Sequence, residues 1–163
     1  MDALHNLRQL RAKVDHHSGT VMGQLPEQFA CTLGCVGCCQ TERTVSDVEW
    51  AALEAAVGDL DEQTLTALKT QETDACPLLL DGGCAVYEER PLICRSHGLP
   101  IVMDGARDVC PLNFEGQDLE ELPDAQVLSV DTLTAILVAV NALYCTETGG
   151  DAHRRRAVGA LLR

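Results

Sequence analysis

The sequence predicts a small, mainly α-helical single domain, its helices packed around an irregular, turn-rich, cysteine-lined core with at most a short β-hairpin. Three observations predict it. Apolar residues recur at helical spacing near both ends of the chain and again over residues 46–68. Residues 74–116 carry turn signals almost without interruption. Of nine cysteines, eight fall between Cys31 and Cys110, four of them in the nine-residue stretch CTLGCVGCC.

At 163 residues the chain is long enough to bury about 70% of the surface that its unfolded form exposes. The formal charge of −13 repels phosphate backbones, so nucleic acid is not an expected partner. The short basic run Arg154-Arg155-Arg156 does not reverse that field. The first thirty residues lack the basic start and apolar run of a secretory leader. The most apolar stretch, Val130 to Tyr144, is interrupted by Asp131, Thr132, Thr134 and Asn141, so no membrane span is expected. The expectation is a cytoplasmic protein in a reducing compartment, where cysteines serve as metal ligands or redox groups rather than as disulfides.

Taken in order, residues 2–16 predict a helix with Leu4, Leu7, Leu10 and Val14 inward and Asp2 as its cap, ending at His16-His17-Ser18-Gly19. The paired histidines are expected at an exposed helix end. Ser46-Asp47-Val48-Glu49 is a capping box, followed by Trp50, Leu53, Val57 and Leu60 on one face. Gly58-Asp59 breaks or tightens that helix, and Asp61 can cap another that carries Leu65 and Leu68 inward. The two are expected to form a helical hairpin over the cysteines. Leu78 to Leu80 and Ala85 to Tyr87 flank a turn as two short strands, and Ile101 to Met103 is a further extended piece. Ser129 caps a long helix with Val130, Leu133, Ile136, Leu137, Val140, Leu143 and Tyr144 as its stripe, and Asp151 caps a last helix. Cys145 reads as a small buried hydrophobe. The organisation is a single domain over 1–163: a helical N-terminal segment 1–30, a cysteine core 31–110, and C-terminal helices 129–163.

Thiolates are soft donors that select zinc, copper(I) or iron–sulfur clusters. Cys31, Cys35, Cys38 and Cys39 are interleaved with Gly34 and Gly37, which allow a loop to turn several sulfurs inward. The same spacing also fits a buried helical stripe, but each glycine would cost such a helix about 1 kcal/mol. That stripe would also leave Cys76, Cys84, Cys94 and Cys110 unexplained. Extended backbone at Cys38-Cys39 would send the two sulfurs to opposite faces, whereas a helical turn could aim both at one centre. One site or two thus stays open. Asp74-Ala75-Cys76-Pro77-Leu78 and Asp108-Val109-Cys110-Pro111-Leu112 form a small internal echo. One dense group followed by scattered single cysteines is poor zinc-finger arithmetic and favours an iron–sulfur cluster. Radical S-adenosylmethionine enzymes share the first spacing, but this chain shows no βα alternation. A segment with so many turns needs ligation to fix it, because metal binding supplies folding free energy.

With these residues in view, the chain resembles the YkgJ-type cysteine-cluster family, whose hallmark is a CxxCxxCC motif. The resemblance rests on Cys31-x3-Cys35-x2-Cys38-Cys39, Cys76-Pro77-Leu78-Leu79, Gly83-Cys84-Ala85-Val86-Tyr87, Arg90-Pro91-Leu92-Ile93-Cys94-Arg95 and Cys110. It implies zinc or iron chelation, and flagellin lysine N-methylase carries a similar module associated with an iron–sulfur cluster. The first spacing is one residue longer than the motif's. Ser96-His97-Gly98 stands where many relatives have an aromatic and another cysteine, so His97 is either a replacement ligand or a turn residue. Arg90 and Arg95 flank Cys94 and are expected to offset thiolate charge, and Tyr87 is expected to pack.

The functional expectation is a cytoplasmic metal-binding protein. Cys31, Cys35, Cys38, Cys39, Cys76, Cys84, Cys94 and Cys110 would hold an iron–sulfur cluster of the [4Fe–4S] type in a structural, redox-sensing or electron-transfer role. The last role calls for a protein partner. Zn2+ in a structural site, a methylase-like protein-modifying enzyme and a metal store or chaperone are the alternatives. No glycine-rich cofactor loop or Ser/His/Asp arrangement supports the enzyme, and the oligomeric state is not readable.

Overall fold

The computed structural model describes residues 2–32 and 34–163. In chain order it contains α1 (Ala3–Gln24), β1 (Thr44–Val45), α2 (Asp47–Gly58) and α3 (Glu62–Thr70). These are followed by β2 (Leu79–Leu80), β3 (Gly83–Cys84), α4 (Leu92–Ser96), β4 (Ile101–Met103) and β5 (Ala106–Asp108). The chain closes with β6 (Leu128–Ser129), α5 (Val130–Thr148) and β7 (Arg156–Ala157). The protein is a small, mainly helical domain with minor β elements.

Helix α1 is the central strut. Its Ala3 and Leu7 pack with Val48 of α2 and Val140 of α5, and its Leu10 and Val14 pack with Leu92 of α4 and Leu133 of α5. Asp2 caps it as predicted, its carboxylate accepting from the His5 N–H at 2.6 Å. The predicted end at His16-His17-Ser18-Gly19 is wrong: the helix runs on to Gln24. Val21, seven residues beyond Val14 and fully buried, continues the inward stripe through the glycines. His16 is therefore an exposed mid-helix residue and His17 a half-buried one.

The capping box at Ser46 forms. The Glu49 carboxylate accepts from the Ser46 N–H at 3.3 Å and from its hydroxyl at 3.0 Å. Its other oxygen accepts the Leu92 N–H at 3.0 Å, so one carboxylate, 2% exposed, joins the start of α2 to the start of α4. Trp50, Leu53 and Val57 build the largest apolar cluster with Val45, Leu78, Val86 and Val158, and Leu60, Leu65, Cys76 and Cys84 pack against it. Asp61 caps α3 through the Thr64 N–H at 2.8 Å, and Leu68 is buried as its spacing predicts.

The β content exceeds the single hairpin expected. A hairpin forms there, but its second strand is Gly83–Cys84 rather than Ala85 to Tyr87. β2 pairs with β3 in the register Leu79↔Cys84 and Leu80↔Gly83 around a tight Asp81-Gly82 turn, and Tyr87 opens a 3-10 turn instead. In addition β4 pairs antiparallel with β5 and parallel with β6, and β1 pairs antiparallel with β7. The last pairing replaces the start of the helix predicted after Asp151; only Val158–Leu162, the part that carries Val158, Leu161 and Leu162, is helical, as a 3-10 helix. Arg154 holds the buried Asp47 carboxylate at 2.7 Å, Arg156 reaches it at 3.4 Å and lies over the Trp50 ring at 4.5 Å, and Arg155 donates to the Thr44 carbonyl at 2.7 Å. These long-range ties hold residues 154–157 out of a helix and set Arg156–Ala157 in a strand, which helical spacing alone cannot reveal.

Helix α5 is capped by Ser129, which accepts from the Thr132 N–H at 3.2 Å, and ends at Gly149 in the left-handed region with φ 73°. Leu133 and Val140 face inward, but Ile136 and Leu143, assigned to the same stripe, are 42% and 37% exposed. α5 lies along α1 and α2 by one narrow face, which leaves the other side apolar and uncovered. By length and composition it is long enough and apolar enough to cross a membrane, which corrects the expectation that no segment is. The interrupting Asn141 is 3% exposed, accepts the Val48 N–H and donates to the Ala152 carbonyl, both at 3.0 Å.

Replacing Glu49 by alanine strands the buried Leu92 and Ser46 N–H groups, each costing about 1–3 kcal/mol when unpaired. Urea unfolding should show a loss of about 2–4 kcal/mol. A loss below about 0.5 kcal/mol, the scale of an ordinary surface substitution, would mean that the junction is not held by this carboxylate.

Candidate metal centre

All nine cysteines are free thiols; Cys145 is buried and the other eight are partly exposed. Cys145 lies beside the Asp47 carboxylate and Asn141, away from the rest, as a buried residue of α5. The eight are carried by turns and short elements rather than by the long helices, and main-chain bonds bring those turns together.

Cys31 and Cys35 flank a loop closed by the Cys35 N–H donating to the Thr32 carbonyl at 2.9 Å, with Gly34 at φ 92°. Only glycine takes that angle readily, which is why this loop can reverse so tightly. Gly37–Gln40 is a 3-10 turn, so Cys38 and Cys39 sit in helical rather than extended backbone. The Cys39 carbonyl accepts the Cys76 N–H at 2.7 Å, docking the second cysteine segment on the first. The two Asp-x-Cys-Pro-Leu echoes are one turn used twice. The Cys76 carbonyl accepts from Leu79 at 3.0 Å and the Cys110 carbonyl accepts from Asn113 at 2.8 Å, with proline at the second position each time. Cys84 stands on β3 opposite Leu79, and Cys94 on α4, whose N–H donates to the Pro91 carbonyl at 2.9 Å.

Electrostatics sorts these thiols. Burial, together with the charges of Cys35, Cys110 and Cys38, pushes the Cys31 thiol up, against a lowering contribution from its bond to Asn113. Cys94 is pushed up to about 12, first by burial and then by Cys76, Cys84 and Cys39. Cys39 in turn is raised by burial and, among its neighbours, by Cys76 and Cys84. Two overlapping neighbourhoods emerge: the charges of Cys35, Cys110 and Cys38 act on Cys31, and those of Cys76, Cys84 and Cys39 act on Cys94, while Cys38 is raised, after burial, most by the adjacent Cys39. They touch at Cys38, which is hydrogen-bonded to Cys39 and whose charge bears on Cys76.

The cation that serves the second neighbourhood is Arg43, which the sequence reading did not single out. Its guanidinium donates to the Cys38 carbonyl at 3.2 Å and counteracts the upward shift of Cys39, Cys76 and Cys94. It lies four residues after Cys39, a separation that could have drawn attention. Of the two arginines expected to serve the thiols, Arg90 bears on Cys84 while lying over the exposed Tyr87 ring at 3.7 Å. Arg95 is buried and its guanidinium goes elsewhere: to Asp15 of α1, to the Glu88 carbonyl and to the Arg90 carbonyl at 3.0 Å. His97 lies at the surface and is not drawn in among the thiols; partial loss of hydration and then the nearby Arg43 lower its pKa.

Gly98 provides a direct test of how closely the chain approaches a sulfur. At φ 93°, a Cβ there would stand 3.0 Å from Cys31 Sγ and 3.1 Å from Asn113 Nδ2, so the thiol lies in a cradle that any other residue would fill. The donor set, all thiols with adjacent cations and amides, suits a soft or borderline metal. The side chains are not, however, drawn together into a coordination site. Among the described residues no group of three or more His, Cys, Asp or Glu is placed to hold a metal ion.

Fold and thiols together define a small, mainly helical, cysteine-rich protein. Residues 30–111, about half of the chain, match the family described as "CxxCxxCC: Putative zinc- or iron-chelating domain", and the chain belongs to that family. No curated protein and no solved structure matches the chain.

The raised Cys94 pKa sets a pH dependence for the metal-free, reduced protein. Between the ordinary value of 9.0 and about 12, the folded state keeps a proton that the unfolded chain releases. Folding stability therefore falls as pH rises through that window. Thermal melts should show Tm declining above pH 9 less steeply in Cys94→Ser than in the parent. Equal slopes would assign the decline to other groups.

Proposed function

We propose that this protein binds metal through its eight clustered cysteines and holds iron–sulfur centres of the [4Fe–4S] type, with zinc as the competing metal. The observation that supports the reading is eight free, partly exposed thiols on turns that main-chain bonds bring together, in a chain whose family is described as zinc- or iron-chelating. Cys31, Cys35, Cys38 and Cys110 would form one ligand set beside Asn113. Cys39, Cys76, Cys84 and Cys94 would form the other beside Arg43. A bound cluster would supply reversible one-electron chemistry, or a rigid joint between turns that lack an apolar core.

The chain's own residues do the rest. Turns beginning at Cys76 and Cys110 present their sulfurs and, through Pro77 and Pro111, turn the chain away again. Arg43 offsets thiolate charge, and α4 holds Cys94 against the second set. The family description names zinc and iron alike, so zinc keeps its place as a second reading. Ile93 and Leu112, next to or near two of the cysteines, are 50% and 59% exposed, and Tyr87 is 57% exposed. In an electron-transfer role, a protein partner would meet the thiols across this rim, in a reducing compartment where they stay unpaired.

Anaerobic purification, a visible spectrum and iron, sulfide and zinc assays test the reading. Broad absorbance from sulfur-to-iron charge transfer with matching iron and sulfide is the expected result; stoichiometric zinc in a colourless protein would favour the second reading. Two ligand sets predict that Cys94→Ser and Cys35→Ser each lose about half of the metal and that the double variant loses nearly all, since the sets would fill separately. Complete loss in either single variant would mean one shared centre. Full retention would remove that residue from the site.

A further inference from the structure

Asn113 is 2% exposed and lies where three segments meet. Its Oδ1 accepts the Ala30 N–H at 2.9 Å, and its Nδ2 donates to the Gly98 carbonyl at 2.7 Å. These two main-chain partners fix which end of the amide is which, since a flipped amide would face donor to donor and acceptor to acceptor. The same Nδ2 stands 3.4 Å from Cys31 Sγ. An amide nitrogen carries two hydrogens; one is used by Gly98, and the second points to a sulfur. As a neutral thiol Cys31 can donate to Asn113 Oδ1, 3.8 Å away, an oxygen already used by Ala30; as a thiolate it only accepts, and the shorter 3.4 Å contact from Nδ2 is then the bond that remains.

We propose that Asn113 is a positioning residue for the Cys31 ligand set, donating an N–H···S bond to the Cys31 thiolate, with Gly98 keeping the space beside that sulfur open. This rests on Cys31 being a ligand, as argued under Proposed function. The amide has a double task. Through Ala30 and Gly98 it sets where the first cysteine stands relative to the segment after α4, and through Nδ2 it withdraws electron density from the sulfur. Removing such outer donors typically weakens metal binding about 10–100-fold. A bond to the sulfur also alters the energy of the sulfur-to-metal charge-transfer band, which a merely structural tie leaves alone.

Gly98 offers a second handle on the same contact, with an internal control. Gly98→Ala drives a methyl toward both Cys31 Sγ and Asn113 Nδ2 at a φ of 93°. Gly105→Ala imposes comparable backbone strain at a φ of 78° with nothing within 4 Å of the added carbon.

The experiment takes the full chain and Asn113→Leu, Asn113→Asp, Gly98→Ala, Gly105→Ala and Cys31→Ser. Each is loaded anaerobically with ferrous iron and sulfide and, in parallel, with Co2+ as a coloured substitute for zinc. The charge-transfer band and the metal retained against a chelator are recorded. Asn113→Leu, Asn113→Asp and Gly98→Ala should shift the band and retain metal about 10-fold less well or worse. Gly105→Ala should match the parent in both. A parental band and parental retention in the Asn113 variants, with Cys31→Ser depleted of metal, would overturn the role of Asn113 while leaving Cys31 a ligand. Full retention in Cys31→Ser would overturn both. If the Asn113 variants do not fold, equal behaviour of Gly98→Ala and Gly105→Ala overturns the proposal.

Discussion

The buried carboxylate of Glu49 joins two helix starts that the chain separates by more than forty residues, accepting from Ser46 on one side and Leu92 on the other. A carboxylate at 2% exposure is costly unless its lone pairs are used, and here three N–H and O–H groups use them. Much else depends on that junction. It sets α2 against α4, and α4 carries Cys94 to the edge of the second thiol set. Were it absent, α4, one turn long and without a side-chain cap of its own, would have little to hold it in register with α1.

The same device recurs wherever the cysteine segment meets the helices. Arg95 ties α4 to Asp15 of α1 and to the carbonyls of the preceding turn. Arg11, also buried in α1, pairs with Glu89 and donates to the Glu89 carbonyl at 3.0 Å. Asn113 and Asn141 each bridge two remote backbone groups. A turn-rich segment buries little apolar surface per residue, and its carbonyls and N–H groups are not used up in ladders. Side chains with several donors or acceptors fill that need, which is why buried polar residues gather around a region that apolar packing alone would leave loose. Removal of one partner is expensive at such sites, because the other stays buried.

The two thiol neighbourhoods meet at Cys38 and Cys39, which share one 3-10 turn. Successive side chains in a 3-10 turn diverge by about a third of a turn, so Cys38 and Cys39 can serve different neighbours although they are adjacent. The bond from Cys76 to the Cys39 carbonyl then places the later cysteines on the Cys39 side. Each side has its own polar neighbour, a guanidinium on one and a carboxamide on the other, and these differ in what they do to sulfur: one compensates charge at a distance, the other donates to a single atom.

Local signals carried much of the fold. The Asp2, Asp61 and Ser129 caps, the Ser46 capping box and the repeated Cys-Pro turn are each written within a few residues and each formed where its spacing put it; the Asp81-Gly82 hairpin formed too, with its second strand two residues earlier than expected. The cysteine motif alone was enough to identify the family. What the sequence could not convey were partners brought close only by folding. The strand Arg156–Ala157 held beside Asp47, the guanidinium of Arg95 turned to Asp15 rather than toward thiols, and the bonds of Asn113 to Ala30 and Gly98 rest on contacts across tens of residues or more, or on side chains brought in from other segments. By itself the sequence determined the helical starts, the turns and the thiol donor chemistry, because these depend on short-range sterics and residue type. Only the tertiary structure decided which sulfur has which neighbour, because that depends on where buried polar side chains find their partners.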